Sequence, residues 1–410
     1  MHFLLSAKRG DVTSWRAATD FIAAYQQALL ASAASDPGGN VETFFMETSA
    51  SIEAAIKTHH KLLKRFDALS AQLSESPASN INELTCSFYN DLYSHFDVFR
   101  SAPVFYRLST DFLRLASAAI IARATAQAGL TAGQLPEFSL IAAGPAGRCE
   151  YSPFRPLQIL LVHSEAEASQ LKNIDLFCQS LHAEFENAGL AIDPLVTPRN
   201  PIWRGPLDEW QNRCEKALRP LAVEESIYLC RLADLSPLQP EDNFFRELKN
   251  ISSAALNGSR PLLTNLIERM VSLSNGLGLM GRLKLVRSGS ASGLFRLLEH
   301  GLMPYSVAIS ALALIKKCAA ASNCDRINDL LTRGEVDVEM AERMLLCWHS
   351  LHELRLLQER SFDIAERSSL PGGLNPEELT TEQLQSLKGA LESVAIIQRH
   401  VEIIFSGMGE

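Results

Sequence analysis

What the chain lacks narrows it before any motif is read. No apolar run approaches the roughly 20 residues of a bilayer span, and the opening segment 1–10 has too short an apolar part, wrongly ordered, for a secretory signal. These absences predict a cytoplasmic protein. The eight cysteines form no CxxC pair and no regular ladder of spacings, which argues against a zinc ribbon or disulfide framework and predicts buried, reduced thiols. Positive charge is in deficit: 38 Lys and Arg stand against 47 Asp and Glu, for a net charge of −9. That balance excludes a general binder of nucleic acid or of anionic membranes. The most local absence is the sharpest: no Asp or Glu occurs between Glu150 and Glu165.

What is present reads as an ordinary globular protein, 47% hydrophobic and 21% charged. At 410 residues it is too long for one core, so two or three domains are expected. Helical spacing runs through Phe21, Tyr25 and Leu29, then Ile56, Leu63 and Phe66, with breaks at residues 36–40 and 74–80. A longer helical run follows, from Leu92, Phe96 and Phe99 to Leu113, Ala116 and Ile120.

Short apolar segments then change the pattern. Residues 138–143 and 157–163 read as buried strands, and 226–232 as a third. Ser164-Glu-Ala-Glu167 is a capping box opening a helix striped by Leu171, Ile174, Cys178, Leu181 and Phe185, which ends at residues 187–189. Beyond about residue 240 the chain is helical again. Its last helix repeats Leu384, Leu387, Leu391, Val394, Val401 and Phe405 after Thr380. The predicted fold is α+β and mostly helical: a small mixed-sheet core flanked by an N-terminal helical region and a C-terminal helical bundle.

The first strand runs straight into Gly144-Pro-Ala-Gly-Arg-Cys-Glu150. Further along come Asn200-Pro-Ile-Trp203 with Trp210, then Gly278-Leu-Met-Gly-Arg282, Leu297, Gly301-Leu-Met-Pro304 and Leu312-Ala-Leu314. Leu354-Arg-Leu356 with Gln358 and a closing helix with Gln398 complete the set. In this order and spacing, over roughly residues 85–408, the pieces resemble a bacterial nucleotidyltransferase-like family. That family is related to the amino-terminal domain of the protein-PII uridylyltransferase, and its members are often joined to CBS or cyclic-nucleotide-binding domains. The resemblance implies a nucleotidyltransferase-like core at 81–238, a substrate-binding-type helical bundle at 239–410, and an unmatched helical region at 1–80.

The same resemblance places the family's chemistry on residues unsuited to it. There, Mg²⁺ bridges carboxylates and triphosphate oxygens, because a hard cation needs oxygen ligands. The Asp-x-Asp and third carboxylate positions align with Pro156, Gln158 and Cys230, none of them acidic. The serine after the first glycine becomes Pro145, which offers neither a hydroxyl nor an N–H. Gly144, Gly147, Arg148, Glu150, Ser152 and Arg155 remain as candidate ligand-binding residues, with His163 nearby and Arg282 at the entry to the helical bundle. The expectation is no catalytic residues, no metal ligands and no cofactor, with Mg²⁺ only if activity survives. The structural alternative is that Arg148 and Glu150 pair with each other and brace the loop.

Other signals fail their context tests. Gly276-Leu-Gly-Leu-Met-Gly281 has the GxGxxG spacing but follows a helix rather than a strand, so a helix-to-helix loop is expected. His349-Ser-Leu-His-Glu353 lacks the order of a zinc-protease motif and reads as packed or surface histidines. The basic turn His59–Arg65 reads as a solvated face. In the helical bundle Arg296, Val307 and Ser310 replace polar family residues.

Three functions stay open at this point. One is a catalytically degenerate nucleotidyltransferase-like protein serving as a regulatory, ligand- or partner-binding signalling module. Another is an active metal-dependent enzyme using non-standard ligands. The third is a structural interaction protein. A nucleotide or anion ligand, a protein partner and a homodimer fit these readings; nucleic acid and membrane do not.

Overall fold

The computed structural model of the chain describes residues 57, 59–73, 80–218, 231–362 and 373–407. The expected helices and break within residues 1–56, most of the 74–80 linker, the loop residues Pro371 and Gly372, and Cys230 lie outside these residues.

After a helix over 59–73 (α1), two long helices follow, α2 (Ile81–Phe99) and α3 (Ala102–Gln127). The Asn80 side chain caps α2, and left-handed Arg100 ends it before the proline-initiated α3. Phe88 stacks flat on Phe112 with ring centroids 4.2 Å apart, and edge contacts from Tyr89 extend that aromatic core. The basic turn of α1 is solvated at His60, Lys61, Lys64 and Arg65, as expected, with His59 the exception. His59 is buried and hydrogen-bonded to His95, while Arg65 reaches Ser87 and Asp91.

The sheet has four strands in the order β3–β2–β1–β4, with β1 (Phe138–Ala143), β2 (Gln158–His163), β3 (Arg204–Gly205) and β4 (Leu235–Pro237). β1 is antiparallel to β2 and to β4, and β2 is parallel to β3, so the sheet is mixed as expected. β1 and β2 read as continuous apolar runs because both faces are covered. α4 (Ala168–Asn187) packs on α3, and α5 (Leu207–Ala217) leads towards α6 (Asn243–Gly258), which crosses β1 and β2. Trp203 and Trp210 are both buried; Trp210 Nε1 donates to the Gly205 carbonyl and so pins the short β3.

One strand differs from expectation. The segment expected to be a strand at 226–232 lies mostly outside the described residues, and Arg231 and Leu232 are helix and turn. The strand that pairs with β1 on this side begins at Leu235.

The C-terminal bundle comprises α7 (Arg260–Ser272), α8 (Met303–Ile315), α9 (Asn323–Thr332), α10 (Val338–Arg360) and α11 (Thr381–Gly407). α8 touches α7, α9 and α11 and is the bundle's central helix. The stretch Leu298–Ile315 is long and apolar enough to cross a membrane, contrary to the sequence expectation, and 61% of it is buried inside the protein. Its hydropathy is that of a helix enclosed by other helices. The GxGxxG segment joins α7 to an extended arm held by bridges Leu277–Leu283, Leu285–Phe295 and Phe295–Leu374.

Candidate functional site

β1 delivers the chain into a single helical turn, Gly144–Gly147, because Gly144 adopts φ +59° and reverses the direction at once. Arg148 N–H donates to the Gly144 carbonyl at 2.9 Å and Glu150 N–H to the Pro145 carbonyl at 2.7 Å, closing the loop. Gly147 is enforced by packing: a Cβ there would collide with the backbone carbonyl of Asp234. The glycine-loop shape is therefore retained, held against the start of β4.

Two carboxylates flank the loop, and both are consumed. Arg148 Nε donates to Glu150 Oε2 at 3.0 Å and its Nη1 to Asp234 Oδ2 at 2.5 Å. Asp234 Oδ1 in turn accepts from Arg326 Nη2 at 2.8 Å. Glu150 Oε1 accepts from Asn323 Nδ2 at 2.9 Å and from Trp348 Nε1 at 2.8 Å. Burial pushes the Glu150 carboxyl up, but the Arg148 guanidinium, His352 and the Trp348 indole together hold it down at about 2. Two acids and two arginines thus form a neutral chain that clamps the loop to α9 and α10. Ser310 joins it by accepting from Arg326 Nη1.

A second buried cluster adjoins the first. Glu359, wholly enclosed, accepts from Arg355 Nε at 2.6 Å, Ser152 Oγ at 2.9 Å and the Tyr93 hydroxyl at 2.9 Å. Arg155 lies in the turn after Ser152, its N–H donating to the Ser152 carbonyl at 3.1 Å. Burial and the like charge of Arg355 push its pKa below the ordinary arginine value. His352 Nδ1 shares a hydrogen bond with the Tyr106 hydroxyl at 2.9 Å, and burial depresses its pKa to about 3. These are packed histidines, and no group of three metal-ligating side chains occurs among the described residues.

Of the positions that the resemblance assigns to metal ligands, Pro156 and Gln158 are described, and Gln158 is held by other protein groups. Gln158 extends over Gly144: a Cβ on that glycine would lie 2.5 Å from Gln158 Oε1. Gln158 Nε2 donates to Asp193 Oδ2 at 2.9 Å, while Asp193 Oδ1 accepts the N–H groups of Leu195 and Val196. His163 turns its Nδ1 to the Ser164 carbonyl. Mg²⁺ needs several free oxygen ligands. The Pro156 side chain supplies none, Gln158 supplies a single neutral amide oxygen, and Asp193 is committed to three N–H groups, so the residues present do not fit that ion.

Two stretches of the chain match known families. The family described as "Putative nucleotidyltransferase DUF294" matches residues 94–222. The family described as "Putative nucleotidyltransferase substrate binding domain" matches residues 260–405. The chain belongs to this nucleotidyltransferase-like family, with its C-terminal domain. No curated protein matches it.

The structure brings Gly144, Gly147, Arg148, Glu150, Ser152 and Arg155 of this family member into one buried region. It leaves Arg282 exposed on the arm, its backbone carbonyl accepting from Gly278 N–H, with no described bond joining it to the loop. Arg296 likewise pairs locally with Glu299. From the sequence, Asp193, Asp208 and Asp234 stood as possible substitute carboxylates without the Asp-x-Asp spacing; the structure places Asp234 just before β4, where it flanks the loop. Sequence reasoning missed Asn323, Arg326, Trp348 and Glu359, whose sequence distance from the loop gave no local signal; Arg355 stood in a family motif without a role.

Proposed function

We propose that this nucleotidyltransferase-like protein is catalytically degenerate and serves as a regulatory binding module. The observation that carries the reading is Gln158, whose amide lies over Gly144 and is tied to Asp193 where the family resemblance calls for a metal-binding carboxylate. Supporting it, Glu150 and Asp234 are neutralised by Arg148 and Arg326 and have no oxygen to spare for a metal. Without a metal the developing charge of a displaced pyrophosphate goes unmet, and that assistance is worth several kcal/mol of barrier. All the described cysteines are free thiols, which fits action in a reducing compartment.

The test is transfer from labelled nucleoside triphosphates to the protein itself and to proteins of a host lysate, with Mg²⁺ or Mn²⁺ present or chelated. No metal-dependent label is expected. Metal-dependent labelling that disappears in Gly147→Ala would overturn the proposal and restore an enzyme.

A further inference from the structure

Arg155 is 8% exposed, yet its guanidinium has no hydrogen bond or ion pair among the described residues, and its Nη2 is sealed from solvent without a partner. The other arginines of the region are all matched: Arg148 with Glu150 and Asp234, Arg326 with Asp234, Arg355 with Glu359. Glu359 takes Arg355 and Ser152 on Oε1 and the Tyr93 hydroxyl on Oε2, and its one negative charge is already matched by Arg355. Arg155 lies in the segment before β2, three residues after Ser152, whose hydroxyl is bonded to Glu359 on α10. The fields of both Arg355 and Glu359 reach Arg155. A buried cation without a counter-ion is strongly unfavourable, and a guanidinium does not shed its proton to escape.

We infer that Arg155 is the anchoring cation of a metal-free oxyanion site for a phosphoryl group, between the sheet core and the helical bundle, with the Glu359-bound Arg355 beside it. Guanidinium forks match the oxygen geometry of phosphate better than any other side chain. The Ser152 hydroxyl, fixed on Glu359, lies at the same junction. Arg155 directly precedes Pro156, so positive charge enters this edge of the site from a side chain where the family resemblance calls for a metal. The inference rests on the degenerate reading above and specifies its ligand chemistry. The phosphoryl group has two sources, inorganic phosphate or the phosphate of a nucleotide.

The experiment uses the full chain in phosphate-free buffer at constant ionic strength, with EDTA present. Thermal melting and ³¹P line broadening are followed against inorganic phosphate, AMP and ATP, for the wild type, Arg155→Met and Arg155→Lys. The wild-type melting temperature is expected to climb with the logarithm of ligand concentration. Arg155→Met is expected to melt above the wild type without ligand, having lost an unpaired buried charge, and to lose the response. Arg155→Lys keeps charge without the fork, so its affinity is expected to fall about tenfold or more. A response to phosphate assigns the free ion; a response to AMP or ATP alone assigns a nucleotide. Equal responses in the wild type and Arg155→Met, or none in either, would overturn the inference while leaving the degenerate reading intact. Should Arg155→Met not fold, Arg155→Lys and the wild-type ³¹P titration decide alone. A parallel arm with Mg²⁺ in place of EDTA separates the two: a response only with metal would overturn the degenerate reading itself.

Discussion

Replacing Glu150 by glutamine tests the clamp between loop and bundle with a change of one heavy atom. Glu150 is 2% exposed and holds Arg148, Asn323 and Trp348. The amide keeps one accepting oxygen but turns a donor towards at least one of these donors, and it removes half the charge balancing Arg148. Breaking a buried ion pair from one side costs about 3–5 kcal/mol. The pKa gives a separate route to the same size. A carboxyl held at about 2 in the folded protein, against 4.5 when free, contributes about 3 kcal/mol at neutral pH. Because the folded value is the lower one, this stability is complete above pH 4.5 and is lost as pH falls towards 2. Urea denaturation of wild type and Glu150→Gln, followed by circular dichroism at pH 7, 5, 4 and 3, is the assay. The expected gap is about 3–5 kcal/mol at pH 7 and 5, narrowing at pH 4 and again at pH 3. A gap below about 1 kcal/mol at pH 7, the range of an exposed pair, or one that does not change with pH, would refute the reasoning.

Gly147→Ala places a methyl group against the Asp234 carbonyl and should lower stability by more than about 3 kcal/mol or prevent folding; full stability of that variant would contradict the loop packing. Gly389, on α11 with open space around it, is the opposite case: Gly389→Ala should raise stability by about 1 kcal/mol, read from the same denaturation curves. The Pro156 and Gln158 side chains offer Mg²⁺ no carboxylate and at most one amide oxygen, so the wild-type melting temperature should be the same in millimolar Mg²⁺ and in EDTA. A Mg²⁺-dependent rise would show ligands not recognised among the described residues. His95, stacked on Phe99 and bonded to His59, has a pKa lowered by burial and by His59 from 6.5 to about 4. The unfolded chain therefore takes up a proton first, and stability should fall as pH drops from 6.5 to 4. His95→Phe should flatten that part of the pH–stability curve, and an unchanged slope would exclude His95 as its source.

The α+β architecture and the strand–glycine–loop element were legible because they rest on local patterns. Residues 138–143 show no alternation and are apolar apart from Ser139, as suits a strand covered on both faces, and Gly144 follows where a reversal needs φ above zero. The capping-box segment Ser164–Glu167 opened its helix at residue 168, with Glu167 rather than Ser164 as the capping residue. The strand expected at 226–232 lies mostly outside the described residues, and β4, with a serine and a proline in its three residues, carries no strand signal of its own, so only its pairing with β1 marks it. Leu298–Ile315 was passed over as a membrane-length stretch for a related reason. Its charged neighbours in sequence disguised an apolar face that the surrounding helices enclose.

By itself, the sequence determined that acidic ligands are missing from residues 151–164, and no tertiary arrangement can add them. It also determined the helical bundle, through periodicity that any packing must obey. Only the tertiary structure decided what the remaining polar groups do. Arg148 and Glu150 are two residues apart and could equally have faced a ligand. They face Asp234, Asn323 and Trp348, which lie 86 to 198 residues along the chain from the groups they bond. The fold also left the Arg155 guanidinium without a partner among the described residues, a fact of charge arithmetic in three dimensions that no local pattern records. Electrostatic partners are chosen by proximity through space, and proximity between distant segments is what folding, not spacing, supplies.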